Sequence, residues 1–87
     1  MQKQYYIISN KHRQGETVIF WSDEFSGYTK HRKVAGVYTL EQIKESHYDF
    51  PIYGENNFDF LKEQNFIIET TDFDKMFTET YTYNYFL

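Results

Sequence analysis

Two runs of this chain, residues 4–10 (QYYIISN) and 17–22 (TVIFWS), have no polar face when extended. Successive side chains of a strand point to opposite sides. Tyr6, Ile8, Val18 and Phe20 therefore fall on one side, and Tyr5, Ile7, Ile19 and Trp21 on the other. A polar loop bearing Gly15 joins the runs, which reads as an antiparallel hairpin. A pair that is apolar on both sides needs cover on both sides, so it belongs in the middle of a sheet and not at an exposed edge.

Aromatic rings are the available cover. The 87 residues include nine Tyr, nine Phe and one Trp, each worth about 150–250 Å² when buried. Cysteine is absent, which excludes disulfides and thiolate metal sites and fits a reducing compartment. A chain of this length is one domain, residues 1–87, and buries only about 60 % of its unfolded surface. One Pro and four Gly argue against disorder. No stretch approaches the roughly 18 apolar residues of a membrane span, and no signal peptide opens the chain, so the expectation is a soluble cytoplasmic protein.

The remaining elements read as follows. Residues 23–33 (DEFSGYTKHRK) form a loop turning at Ser26-Gly27, and 34–39 (VAGVYT) a third strand or an extended approach to a helix. Thr39-Leu40-Glu41-Gln42 has the form of a capping box, opening a helix to about Ser46 with Leu40, Ile43 and His47 on one face. Pro51 restricts 47–55 to a short edge strand or loop. Asn56-Asn57 caps a second short helix, 66–70 (FIIET) is a strand, and Asp72 caps a helical turn containing Phe73, Met76 and Phe77. The tail 81–87 (YTYNYFL) has the composition of a closing strand. The whole predicts a small single α+β domain: a mainly antiparallel sheet with two or three short helices.

Little in the chain points to catalysis. His12, His31 and His47 share no metal-ligand spacing; the first and second sit among basic residues, and the third suits a helix C-terminus. Ser26 lacks a nucleophile-elbow context, the four glycines are too dispersed for a phosphate loop, and the acid pairs Asp23-Glu24 and Asp72/Asp74 read as solvated turns and caps. The expectation is a non-enzyme with no cofactor and no metal.

Charge divides the chain. Residues 1–47 carry seven Lys/Arg against five Asp/Glu, a net of +2; residues 48–87 carry two against eight, a net of −6. The overall −4 disfavours generic nucleic-acid binding, which draws its affinity from phosphate neutralisation, and favours a partner with a basic surface.

Tyr5-Tyr-Ile-Ile-Ser-x-Lys11-His12, Phe20-Trp21, Gly27-Tyr28-Thr29 and Ala35-Gly36-x-Tyr38 ahead of a capped helix resemble the pattern of a group of small phage and prophage accessory proteins, over about residues 5–45. Most members have no assigned activity, so the resemblance carries over no functional residue. It implies a phage or mobile-element context, in which small acidic accessory proteins include inhibitors of host defence such as anti-CRISPR proteins. On that footing the first half is scaffold, with Trp21 in the core, Gly27 in a positive-φ turn and Gly36 letting strand and helix approach closely. The divergent half is then the contact surface for a host defence protein, a nuclease with a basic channel: the acids Asp49, Glu55, Asp59, Asp72 and Asp74, with Tyr53 and Tyr83 as ring anchors. The alternative is an RNA- or DNA-contacting accessory protein that uses Lys11, Arg13, Lys30, Arg32 and Lys33 with stacking rings nearby.

Overall fold

A computed structural model describes residues 2–11, 17–54 and 62–76. Five strands form one sheet: β1 (Tyr5–Ser9), β2 (Phe20–Trp21), β3 (Tyr28–Thr29), β4 (Ile52–Tyr53) and β5 (Asn65–Glu69). The spatial order is β3-β2-β1-β5-β4. All pairings are antiparallel except β4 with β5. Two short helices, α1 (Leu40–Glu45) and α2 (Thr70–Met76), complete an α+β domain of the expected class.

The two-sided apolar pattern of the first runs is realised for every residue assigned to it but Ile19, which is buried without joining either cluster. Every residue of β1 is buried, and β1 lies between β2 and β5. Tyr6, Ile8, Val18 and Phe20 join Phe66, Ile68 and Phe73 in one cluster, with α2 supplying Phe73. On the other face Tyr5, Ile7 and Trp21 join Tyr38, Ile43 and Ile67, with α1 supplying Ile43. Each helix thus caps one face of the sheet.

β2 is shorter than the run 17–22, and the expected loop 23–33 contains a strand. β3 folds back on β2 with Trp21 opposite Tyr28. The segment 34–39 is an extended approach and not a full strand: Ala35 bridges Ser22 and Tyr38 bridges Tyr5. Pro51 precedes the short edge strand β4, as its missing donor requires. The helix at the end of β5 begins at Thr70, two residues before the predicted cap. Asp72 instead occupies its first turn, where a carboxylate opposes the helix dipole favourably. The predicted helix after Asn56-Asn57 and the closing strand 81–87 lie outside the described residues.

The capping box is present as read: Thr39 Oγ1 accepts from Gln42 N–H at 3.2 Å, and Gln42 Oε1 accepts from Thr39 N–H at 2.8 Å. The helix ends at Glu45 with Ser46 as its C-cap, so His47 does not share its face. His47 instead adopts φ 64°, donating its N–H to Lys44 O, while Tyr48 N–H reaches Ile43 O. This is a Schellman ending with histidine where glycine is usual. His47→Gly is therefore expected to raise stability by about 0.5–1 kcal/mol, read as a higher urea midpoint at unchanged slope. A lower midpoint would mean that the imidazole makes a contact outweighing the backbone strain.

Candidate functional site

The stretch from Trp21 to Tyr48 builds a ring-rich surface. Between β2 and β3 the chain passes through Glu24 (φ 57°), Phe25 (φ 57°) and Gly27 (φ 110°). Two consecutive non-glycine residues in the left-handed region cost about 1–2 kcal/mol each and persist only when their surroundings hold them. The holding group is the Tyr38 hydroxyl. It accepts from Phe25 N–H at 3.1 Å and donates to the Ser22 carbonyl, spanning the turn from below.

Gly36 allows this. A Cβ at Gly36 would stand 2.6 Å from Tyr38 Oη and 2.8 Å from Ser22 O. The close approach expected at Gly36 is thus between this glycine and the Tyr38 clamp, not between a strand and a helix.

The clamp presents rings. Phe25 lies 4.7 Å from Tyr38 and stacks on Tyr48 at 5.1 Å, and Tyr48 stacks on Phe50 at 5.1 Å. Trp21 lies beneath, edge-on to Phe25, Tyr28, Tyr48 and Phe50, with its indole N–H on Asn65 Oδ1 at 3.2 Å. Tyr48 remains 36 % exposed and Tyr28 48 %. Beside the rings, Asp23, Glu24, Phe25 and Tyr38 face Gln42 and Glu45 of α1 across an open groove of about 430 Å³.

The electrostatics follow from the same geometry. Burial raises the Tyr38 hydroxyl above the ordinary tyrosine range; the Phe25 N–H opposes this, and the charges of Asp23 and Glu24 add to it. Folded protein therefore holds this proton more tightly than unfolded chain. The stabilisation is complete below the unfolded value of about 10 and is lost as pH rises through the folded value. Tyr38→Phe is expected to cost about 1–2 kcal/mol at neutral pH by orphaning Ser22 O and Phe25 N–H. Urea unfolding at stepped pH should show the gap between wild type and variant closing above about pH 10. A gap constant to pH 11 would remove the hydroxyl from the clamp.

No family model, curated protein or solved structure matches this chain. The site therefore rests on its own chemistry.

The residues singled out in the sequence are scattered differently. Asp72 and Asp74 lie on α2, over one face; Asp49 sits between Tyr48 and Phe50, whose rings cover the opposite face. These acids do not form one patch. Asp72 lies against Gly54, so near that a Cβ there would be 2.6 Å from its Oδ2. Tyr53 packs on Phe66 at 5.6 Å and directs its hydroxyl to Glu63 at 3.3 Å, as a core-edge residue. Glu55, Asp59 and Tyr83 lie outside the described residues, as does Arg13.

Of the basic set, Lys11, Lys30 and Lys33 are exposed. Antiparallel pairing brings the ends of β1 and β3, and so Lys11 and Lys30, to the same end of the sheet. Arg32 has a different role. Its Nε donates to Tyr6 Oη at 2.9 Å, its guanidinium lies over the Tyr6 and Phe73 rings, and it pairs with Asp74. Burial opposes its charge, but the Tyr6 hydrogen bond and Asp74 together raise its pKa. The two rival sequence-predicted sites thus share one ion pair, in which each neutralises a member of the other.

Sequence reasoning read Asp23 and Glu24 as a solvated turn and passed over Phe25 and Glu45. The available signal was DEF followed by SGY: two carboxylates and two rings flanking a turn glycine.

Among the described residues, no three His, Asp or Glu side chains gather as a metal site, and no helix is long and apolar enough to cross a membrane.

Proposed function

We propose that this chain is a non-catalytic, stoichiometric protein-binding inhibitor, borne by a phage and acting in the host bacterial cytoplasm on a defence complex, foremost a CRISPR nuclease with a basic channel. The observation that carries the binding reading is the partly exposed ring ladder of Phe25, Tyr48 and Phe50 beside the carboxylates of Asp23, Glu24 and Asp49. Interfaces draw their anchors from such rings, and the net charge of −4 favours a basic partner. The phage context and defence target are supported by the resemblance over residues 5–45.

The test is affinity capture of the tagged full chain from bacterial lysate, with and without nuclease treatment, followed by titration of the captured enzyme's activity. One protein recovered in equal amount and inhibited at one-to-one stoichiometry is the expected result. Activity that persists at excess inhibitor counts against the reading.

A second reading, direct RNA or DNA contact, is favoured by the shared sheet end of Lys11 and Lys30. It requires capture that disappears with nuclease and affinity that falls steeply with salt.

A further inference from the structure

Backbone polar groups of an extended strand point alternately to its two sides, so the bonds that β4 makes to β5 fix where its other groups point. Ile67 N–H donates to Pro51 O at 2.9 Å, and Ile52 is the parallel register partner of Ile67. Pro51 and Tyr53 therefore turn their backbone polar groups toward β5, and Ile52 turns its N–H and C=O away from it. Among the described residues no strand lies beyond β4, so the Ile52 groups face an open edge. The Ile52 side chain is 52 % exposed.

Proteins blunt a sheet edge with a lysine, or with a proline whose missing donor faces out. Neither guards Ile52. Pro51 stands next to it, but its nitrogen lies on the β5 side, and the exposed side chain is an isoleucine.

The surroundings select what can add there. Ile52 stands beside Ile67 on the face that also holds Phe50, so an incoming strand finds apolar cover for one side chain. Acids bracket β4. Asp49, exposed, lies three residues before Ile52, and the Oδ2 of Asp72 would be 2.6 Å from a Cβ at Gly54. Residues 45–61 contain four acids and no Lys or Arg. A second copy of this chain would set these acids against their own kind. A strand with lysine or arginine flanking an apolar centre meets opposite charge at both ends.

We infer that β4 receives an extended strand of a partner protein, apolar at its centre and basic at its ends, which joins the sheet through the Ile52 N–H and C=O. This rests on the protein-binding reading and names the mode and chemistry of contact. Main-chain bonds supply the attachment, and the flanking charges supply the selectivity.

The experiment follows the Ile52 amide of the isotope-labelled full chain by NMR. In the free protein this amide should exchange with solvent much faster than that of Ile67, which is bonded to Pro51. Protection of Ile52 equal to that of Ile67 would mean that the edge is already covered and would overturn the inference; a doubled mass in solution would then identify a second copy as the occupant. Titration with the capped pentapeptide Lys-Val-Ile-Val-Lys should shift and protect Ile52, with half-saturation on the order of 1 mM. The counterpart Glu-Val-Ile-Val-Glu should bind at least about 10-fold more weakly. Equal binding of the two peptides, or shifts that leave Ile52 unmoved, would overturn the inference.

Ile52→Pro removes the outward donor but no bond to β5. It should abolish peptide binding while the melting temperature stays within about 5 °C of wild type. Asp49→Lys, altered at an exposed side chain, should narrow the preference for the lysine peptide, and it serves where Ile52→Pro does not fold. Full binding in the first variant or an unchanged preference in the second would overturn the inference. Capture of the same lysate protein by wild type and by folded Ile52→Pro would reject the edge while leaving protein binding intact. Failure of the wild type to capture any protein would reject that reading, and the peptide series would still judge the edge.

Discussion

Phe73→Ala is expected to lower stability by about 3–5 kcal/mol, the cost of truncating a fully buried phenylalanine. Phe73 is 1 % exposed and, among the described residues, is the only α2 side chain in the core cluster of its face. Its ring meets Tyr6 edge-on at 5.3 Å and Phe20 at 5.3 Å, and it carries the Arg32 guanidinium at 5.2 Å. The truncation therefore opens a cavity and also removes half of the seat that lets Arg32 be partly buried. Small domains have only about 5–15 kcal/mol to lose, so urea unfolding should show most of the stability gone. Phe73→Leu separates the two contributions. It restores most of the apolar volume but no ring, so Arg32→Ala should cost less when combined with Phe73→Leu than it does in wild type. A Phe73→Ala midpoint within experimental error of wild type would mean that α2 is not docked on the sheet.

Gly36→Ala is the second large effect, about 2–4 kcal/mol, equivalent to roughly 10–25 °C in melting temperature. The added methyl would collide with the Tyr38 ring, 2.7 Å away at Cε2, and with the Ser22 carbonyl. Neither yields cheaply: the ring is buried, and the carbonyl is backbone already bonded to the Tyr38 hydroxyl. Displacing Tyr38 releases Phe25 N–H, and the strained turn loses its support. Gly27→Ala is the control. A Cβ there meets nothing within 4 Å, so its cost is confined to the backbone conformation at φ 110°, about 1–2 kcal/mol. If the two substitutions cost the same, the Gly36 contact is not a steric constraint and the clamp is looser than described.

What could be read from the sequence was what is local. Alternation assigned Tyr6 and Ile8 to one face and Tyr5 and Ile7 to the other, because a strand's side-chain period does not depend on its partners. The capping box lay within four consecutive residues. The turn at 23–25 was not legible, since neither Glu24 nor Phe25 prefers positive φ; a hydroxyl thirteen residues beyond Phe25 imposes it. Charge counting treated Asp74 and Arg32 as surface charges of separate patches, because the contact joining them depends on where α2 docks. The parallel pairing of β4 with β5 likewise has no signature within either strand.

The register of β1 against β5 sets the order in which this chain can assemble. Tyr5 opposes Glu69 and Ser9 opposes Asn65, so the longest ladder among the described residues joins positions some sixty residues apart. Closing so long a loop is entropically costly before any of its contacts stabilise the chain, and it places the protein among high-contact-order folders, which reach the native state in milliseconds to seconds. Until residues 65–69 arrive, β1 offers an unpaired apolar edge flanked by the small hairpin of β2 and β3. During synthesis that edge is exposed to mispairing, and β5 removes the hazard by taking its place beside β1.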